Sequence, residues 1–158
     1  MTTIYVFADS HGYIDNMVHV LRSGMPDMCI FLGDMVLDFE SVKEKFPGMD
    51  TVVIRGNNDK FSSDWSSRFI TVEDRKIFCT HGHEQNVSIE PDLRTLIDAA
   101  WEEEADTVLF AHTHIPYNER HYGLDILNPG PIGNNAEHPS YGVLEISGNK
   151  IKISIKYL

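Results

Sequence analysis

The chain has 158 residues, a formal net charge of −11 from 24 acidic and 13 basic side chains, and 42% hydrophobic residues. A chain of this length fits one domain with an ordinary core and needs no covalent staples. The acidic balance excludes a long nucleic acid as partner, because backbone phosphates are held by clustered Lys and Arg.

No basic n-region followed by an apolar h-region opens the chain, and no stretch approaches the roughly 18 apolar residues of a membrane span. The expectation is a soluble cytoplasmic protein with no membrane partner. Cys29 and Cys79 each lie inside an apolar run, which favours buried thiols over a disulfide.

Taken in chain order, apolar runs of strand length occur at Thr3–Ala8, Met28–Leu32, Thr51–Arg55 and Thr107–Ala111. They are rich in Val, Ile and Phe and stop abruptly at polar or Gly residues, as buried central strands do. Between them, Asp15–Ser23 (with Asp15 as N-cap), Phe39–Phe46 and Pro91–Glu103 carry apolar residues at helical spacing. Pro91 suits a first turn. Arg68–Glu73 and Lys76–Thr80 read as adjacent strands, and Tyr141–Ser147 with Lys150–Tyr157 as a hairpin across Gly148–Asn149. Alternating βα units that end in strands predict a layered α/β domain, two mixed sheets packed together with helices outside. Residues 1–158 show no linker, repeat or insertion long enough to form a second or cap domain.

Each central strand is followed by residues able to bind a metal. These are Asp9-Ser10-His11-Gly12, Gly33-Asp34, Gly56-Asn57-Asn58-Asp59, His81-Gly82-His83 after Lys76–Thr80, and His112-Thr113-His114. Any one of them alone is an ordinary polar turn. Groups at the carboxyl ends of strands in α/β sheets converge on a common crevice, so together they predict one pocket. Asp9, His11, Asp34, Asn57, His81, His112 and His114 would supply carboxylate and amide oxygens and imidazole nitrogens with no thiolate. That donor set suits two divalent ions: Mn first, with Fe, Zn, Ni or Co as alternatives. Seven ligands are too many for one tetrahedral ion but divide well between two sharing a carboxylate. Two ions close together generate a hydroxide at neutral pH and shield phosphoryl charge, the requirements of phosphoester hydrolysis.

In this order the motifs, followed by Asn128-Pro129-Gly130, resemble the calcineurin-like metallophosphoesterases, in particular the small bacterial and archaeal phosphodiesterases. The motifs span residues 9–130, the flanking strands fit, and the resemblance covers essentially the whole chain. It implies a four-layer αββα sandwich, with Asp9, His11 and His114 on one ion, Asp34 bridging, and Asn57, His81 and His112 on the other. It also implies a small phosphodiester as substrate, with a phosphomonoester or nucleotide pyrophosphate as neighbouring classes. A homodimer is compatible with it, although no interface signature stands out. Some relatives, among them a retromer subunit, use the same fold as a non-catalytic scaffold.

One departure concerns Asn58, which stands where the family usually has His or Cys. An amide cannot protonate a leaving group, so the reaction must rely on a good leaving group, on solvent, or on another acid such as His83. Asp59 is read either as a carboxylate orienting a ligand imidazole or as a loop cap. Arg55 and Lys60 are read either as phosphate contacts or as solvated surface. Trp65 is read as a packing group that could border the pocket, and Asn128-Pro129-Gly130-Pro131 as a rigid loop beside the site.

Overall fold

The computed structural model describes all residues, 1–158. The chain runs through β1 (Thr2–Phe7), α1 (Asp15–Ser23), β2 (Met28–Phe31), α2 (Val36–Lys45) and β3 (Asp50–Val53). It continues through β4 (Ser67–Val72), β5 (Arg75–Thr80), a 3-10 turn at His83–Gln85, α3 (Arg94–Glu102) and β6 (Thr107–Leu109). It ends in β7 (Tyr117–His121), β8 (Leu124–Asn128), β9 (Ser140–Ser147) and β10 (Lys150–Tyr157). No helix is long and apolar enough to cross a membrane.

The strands form two five-stranded sheets, ordered β10-β9-β1-β2-β3 and β4-β5-β6-β8-β7. Both are mixed. In the first, β1, β2 and β3 are parallel while β9 and β10 run against them. In the second, β5, β6 and β8 are parallel, flanked by antiparallel β4 and β7. The alternation of side chains along each strand builds three apolar layers. Ile4, Val6, Ile30 and Ile54 meet Ile77, Cys79, Leu109 and Leu127 between the sheets. The opposite face of the first sheet, Phe7, Cys29 and Phe31, packs on Met17 and Leu21 of α1 and Phe39 of α2. The opposite face of the second, Phe78, Val108 and Ile126, packs on Leu96, Ile97 and Ala100 of α3. The result is the αββα sandwich, its helices held by burial of side chains contributing about 1.5–3 kcal/mol each.

Five expectations are corrected. Thr51–Arg55 is not a buried central strand: β3 is the edge strand of its sheet and buries only Val52 of its four residues. Asp15 is the first helical residue and not the N-cap, which is Ile14 with no side-chain bond; Asp15 favours the helix through its charge in the first turn. α2 begins three residues before Phe39, at Val36. α3 begins at Arg94 and not at Pro91, because Leu93 ahead of it is left-handed with φ 55°. The β7–β8 hairpin was not anticipated. Four of the five β7 residues are exposed on an edge strand, so no apolar alternation marks it; the Tyr122-Gly123 turn, both with positive φ (52° and 77°), is the signal that announces it.

Candidate metal centre

The five motifs meet at one end of the sandwich, where β1, β2, β3, β5 and β6 run out. Asp9, His11, Asp34 and His114 place one donor atom each within 4.8 Å of one another, and Asp34, His81 and His112 do the same. Asp34 is common to both groups. His11 Nε2 lies 3.8 Å from Asp9 Oδ1 and 3.6 Å from Asp34 Oδ2, and His114 Nε2 lies 3.4 Å from Asp9 Oδ1. On the other side, His81 Nε2 is 3.5 Å from Asp34 Oδ1. Imidazoles also face imidazoles, with His11 and His114 Nε2 atoms 3.3 Å apart and His112 Nδ1 3.2 Å from His81 Nε2.

The chemistry of these donors fits cations. Asp9 is buried, and neither carboxylate oxygen has a hydrogen-bond partner. A buried carboxylate in that state is costly unless a positive charge compensates it. The nearest donor is His114 Nε2, 3.4 Å from Asp9 Oδ1, and this contact, against the opposing effect of burial, raises the pKa of His114 above the ordinary imidazole value. His81 is fully buried, and its Nδ1 lies 2.7 Å from the Leu32 carbonyl. A carbonyl only accepts, so Nδ1 carries the proton and Nε2 turns its lone pair toward Asp34, the arrangement of a metal-ligating histidine.

The backbone delivers these groups through left-handed conformations. Asp9 (φ 53°), His11 (46°), Asp34 (64°), His112 (72°) and His114 (60°) all lie there, each at a cost of about 1 kcal/mol or more. Gly56 follows β3 so closely that a Cβ would collide with the Asp34 carboxylate, and a Cβ at Gly33 (φ 100°) would lie 2.5 Å from the Gly56 nitrogen. Glycine is required at both for the second and third loops to touch.

Several residues act by holding the donors. Asn58 donates from Nδ2 to Asp34 Oδ2 at 2.8 Å and from its backbone N–H to Asp34 Oδ1 at 3.1 Å, so its amide pins the shared carboxylate. Asp59 does not orient an imidazole. Its carboxylate accepts from the N–H groups of Asp34, Met35, Val36 and Gly56 at 2.8–2.9 Å, capping α2 from a distant loop. Asp38 was not foreseen: its Oδ2 accepts from Ser10 Oγ and the Gly12 N–H, each at 2.7 Å, and fixes the first loop. Asn128 is the buried end of β8 and not a loop residue. It donates to the Ala111 carbonyl and to Thr113 Oγ1, which seats the His112-Thr113-His114 turn; the Asn-Pro-Gly triplet was its only trace in the sequence.

Asn57 lies exposed on the third loop beside Asn58, and its side chain makes no hydrogen bond. His83 flanks the second group, its ring centroid 5.5 Å from that of His81 and 6.2 Å from that of His112, with Nδ1 buried and unpartnered. Burial first and His81 second lower its pKa, and the charge of Arg55 contributes in the same direction. Trp65 is 71% exposed and does not pack into the core.

Known proteins resemble this chain along almost its whole length. Residues 2–149 match the calcineurin-like phosphoesterase superfamily domain. A probable metallophosphoesterase of Mycoplasma pneumoniae is 26% identical over 155 residues, covering 96% of this chain and 94% of its own. A phosphodiesterase of Methanocaldococcus jannaschii is 27% identical over 162 residues, covering 90% and 92%. Among solved structures, a predicted phosphoesterase of Streptococcus pneumoniae superposes with a TM-score of 0.77 at 26% identity, covering 99% of this chain and 89% of that one. Vps29 of Entamoeba histolytica complexed with zinc shares the fold, with a TM-score of 0.78 at 18% identity over 99% and 98% of the two chains. The chain belongs to the calcineurin-like phosphoesterase superfamily.

Proposed function

We propose that the protein hydrolyses small phosphodiesters at a dinuclear metal centre. Asp9, His11 and His114 hold one ion, Asn57, His81 and His112 hold the other, and Asp34 is shared. The observation that carries this reading is the Asp9 carboxylate, buried with both oxygens unpartnered, beside imidazoles that turn toward one another. Divalent cations bound there would supply Lewis acidity and a nucleophile competent at neutral pH. The nitrogen and oxygen donor set supports Mn, with Fe, Zn, Ni or Co as alternatives.

The chain's own residues do the rest. Asn58 holds Asp34 in place through two hydrogen bonds, and the Leu32 carbonyl fixes the His81 tautomer. His83, with its lowered pKa, is a neutral imidazole at neutral pH and offers a ring N–H to the departing oxygen as a hydrogen-bond donor. With no imidazolium and no acid at position 58, the site favours esters whose leaving group needs no proton, such as aryl esters and anhydrides. The name of the Methanocaldococcus jannaschii relative supports a diester over a monoester. The experiment is turnover of bis(p-nitrophenyl) phosphate and p-nitrophenyl phosphate after chelation and re-addition of Mn²⁺, with Asn57→Ala and His81→Ala as controls. Metal-dependent turnover, faster on the diester and lost in both variants, is expected. Absence of metal-dependent turnover on either ester overturns the reading.

A further inference from the structure

An open surface depression of about 590 Å³ has walls that include Arg55, Lys60 and Trp65. It is built by the loop that carries Asn57 and Asn58. The Arg55 N–H donates to the Trp65 carbonyl at 3.0 Å, so the two ends of that loop are tied and their side chains share one cavity. Ser62 closes a further turn onto the Asp59 carbonyl at 3.1 Å.

Two positive charges line this cavity. Five of the 13 Lys and Arg side chains, Lys43, Arg75, Arg94, Arg120 and Lys152, are ion-paired; Arg55 and Lys60 are among those that are not, and of the unpaired arginines Arg55 alone is half-buried. An exposed lysine without a partner is ordinary. A half-buried arginine without one, in a protein of net charge −11, is not. The one acid in the wall, Asp64, accepts from Ser62 Oγ at 2.8 Å. Ser63 and Ser66 also line the wall, and most of the Trp65 side chain is open to solvent.

Two unpaired cations, serine side chains and a solvent-open indole recognise an anion joined to a planar ring. We propose that this cavity is a subsite for a second phosphate of the substrate, with the attached ring stacked on Trp65, so that the substrate class is nucleotide-like phosphoesters. This rests on the hydrolase reading above and deepens it. Arg55 and Lys60 hold the phosphate that is not cleaved.

Trp65 is the reporter for the test. The chain has two tryptophans, so a Trp101→Phe background leaves Trp65 alone, and the metal-free protein is titrated with ADP and, separately, with adenosine while fluorescence is read. ADP is expected to quench saturably and adenosine at the same concentrations not to. Lys60→Ala and Arg55→Met are each expected to weaken the ADP titration by about tenfold, the loss of one charge-assisted contact. Equal responses to ADP and adenosine, or an ADP affinity moved by neither substitution, overturn the subsite. Turnover of bis(p-nitrophenyl) phosphate with Mn²⁺ in the same background reports on hydrolysis alone. No turnover with an intact ADP titration removes the hydrolase and leaves an anion pocket; turnover without a Trp65 response removes the subsite and leaves the hydrolase.

Discussion

Replacing Asp9 with Asn removes one charge and almost no volume, and the structure assigns opposite effects to it with and without metal. The Asp9 side chain has no solvent exposure and no hydrogen bond on either oxygen. A buried charge left uncompensated costs about 3–5 kcal/mol, whereas an unsatisfied neutral amide costs about 1–3 kcal/mol. Metal-free Asp9→Asn should therefore be more stable than the wild type by about 1–3 kcal/mol. At about 2–4 °C per kcal/mol for a chain of this size, its melting temperature should rise by several degrees. Metal reverses the order: Mn²⁺ at a hundredfold excess over its Kd stabilises the wild type by about 2.7 kcal/mol, and the variant gains less because it has lost a ligand. The pH dependence has a definite sign. The pKa of His114 is raised by Asp9, so its stabilising charge is present below the ordinary imidazole value and disappears as pH rises through the raised folded value. The advantage of the variant should thus be larger at pH 9 than at pH 6. Scanning calorimetry of both proteins, chelated and Mn²⁺-loaded, reads all of this. A chelated variant less stable than the wild type at pH 9 would refute the claim that Asp9 is an uncompensated charge.

Other perturbations separate positioning from ligation. Asp59→Asn turns one acceptor oxygen into a donor facing two backbone N–H groups; urea unfolding of the chelated protein should show a loss of about 2–4 kcal/mol, and a loss under 0.5 kcal/mol would contradict the capping role. Gly56→Ala drives a methyl into the Asp34 carboxylate, and calorimetric titration should find Mn²⁺ affinity down by at least about tenfold, an unchanged affinity showing that the loops have room. Burial pushes the pKa of Cys29 and Cys79 up to about 12, so neither thiol should react with an aromatic disulfide reagent at pH 8 before the protein unfolds. By linkage, a thiol pKa raised above its unfolded value of about 8.5 gives stability that is lost as pH climbs from there toward 12; the fall in urea midpoint between pH 8 and pH 10 should be smaller in the Cys29→Ala, Cys79→Ala double variant.

The strands β1, β2 and β6 were legible because each is an unbroken apolar run ended by Gly or a ligand, and burial on both faces demands that pattern; β3 reads the same way in sequence but lies at a sheet edge. The donors were legible for the same reason, since Asp9, Asp34, His81 and His112 sit where the apolar run stops. The parts that escaped depend on partners far away in sequence. The early start of α2 at Val36 is stabilised by Asp59, 23 residues on, and no window around Val36 contains that information. Asp38 reaches back 26 residues to the Gly12 N–H, and within its own helix it reads as one more first-turn acid. β7 carries no apolar alternation because it is an edge strand facing water, so only its turn betrayed it.

The left-handed residues connect those two kinds of information. Asp9, His11, Asp34, His112 and His114 would all be easier to fold as glycine, and a chain selected for stability alone has no reason to place bulky polar residues there. A donor is needed at the point where the strand must turn away, because only there does a side chain project over the end of the sheet toward the other loops. The strain is tolerated because each turn is over-determined from outside: the Asp9 N–H by the Gly33 carbonyl at 3.0 Å, Asp34 by Asn58 and Asp59, and the His112 turn by Asn128. Local rules broken in one small region, while the surroundings spend hydrogen bonds on holding the break, mark where stability has been exchanged for chemistry. The same logic separates Asp59 from Asp9: one buried carboxylate has four donors and builds the frame, the other has none and faces the imidazoles of His11 and His114.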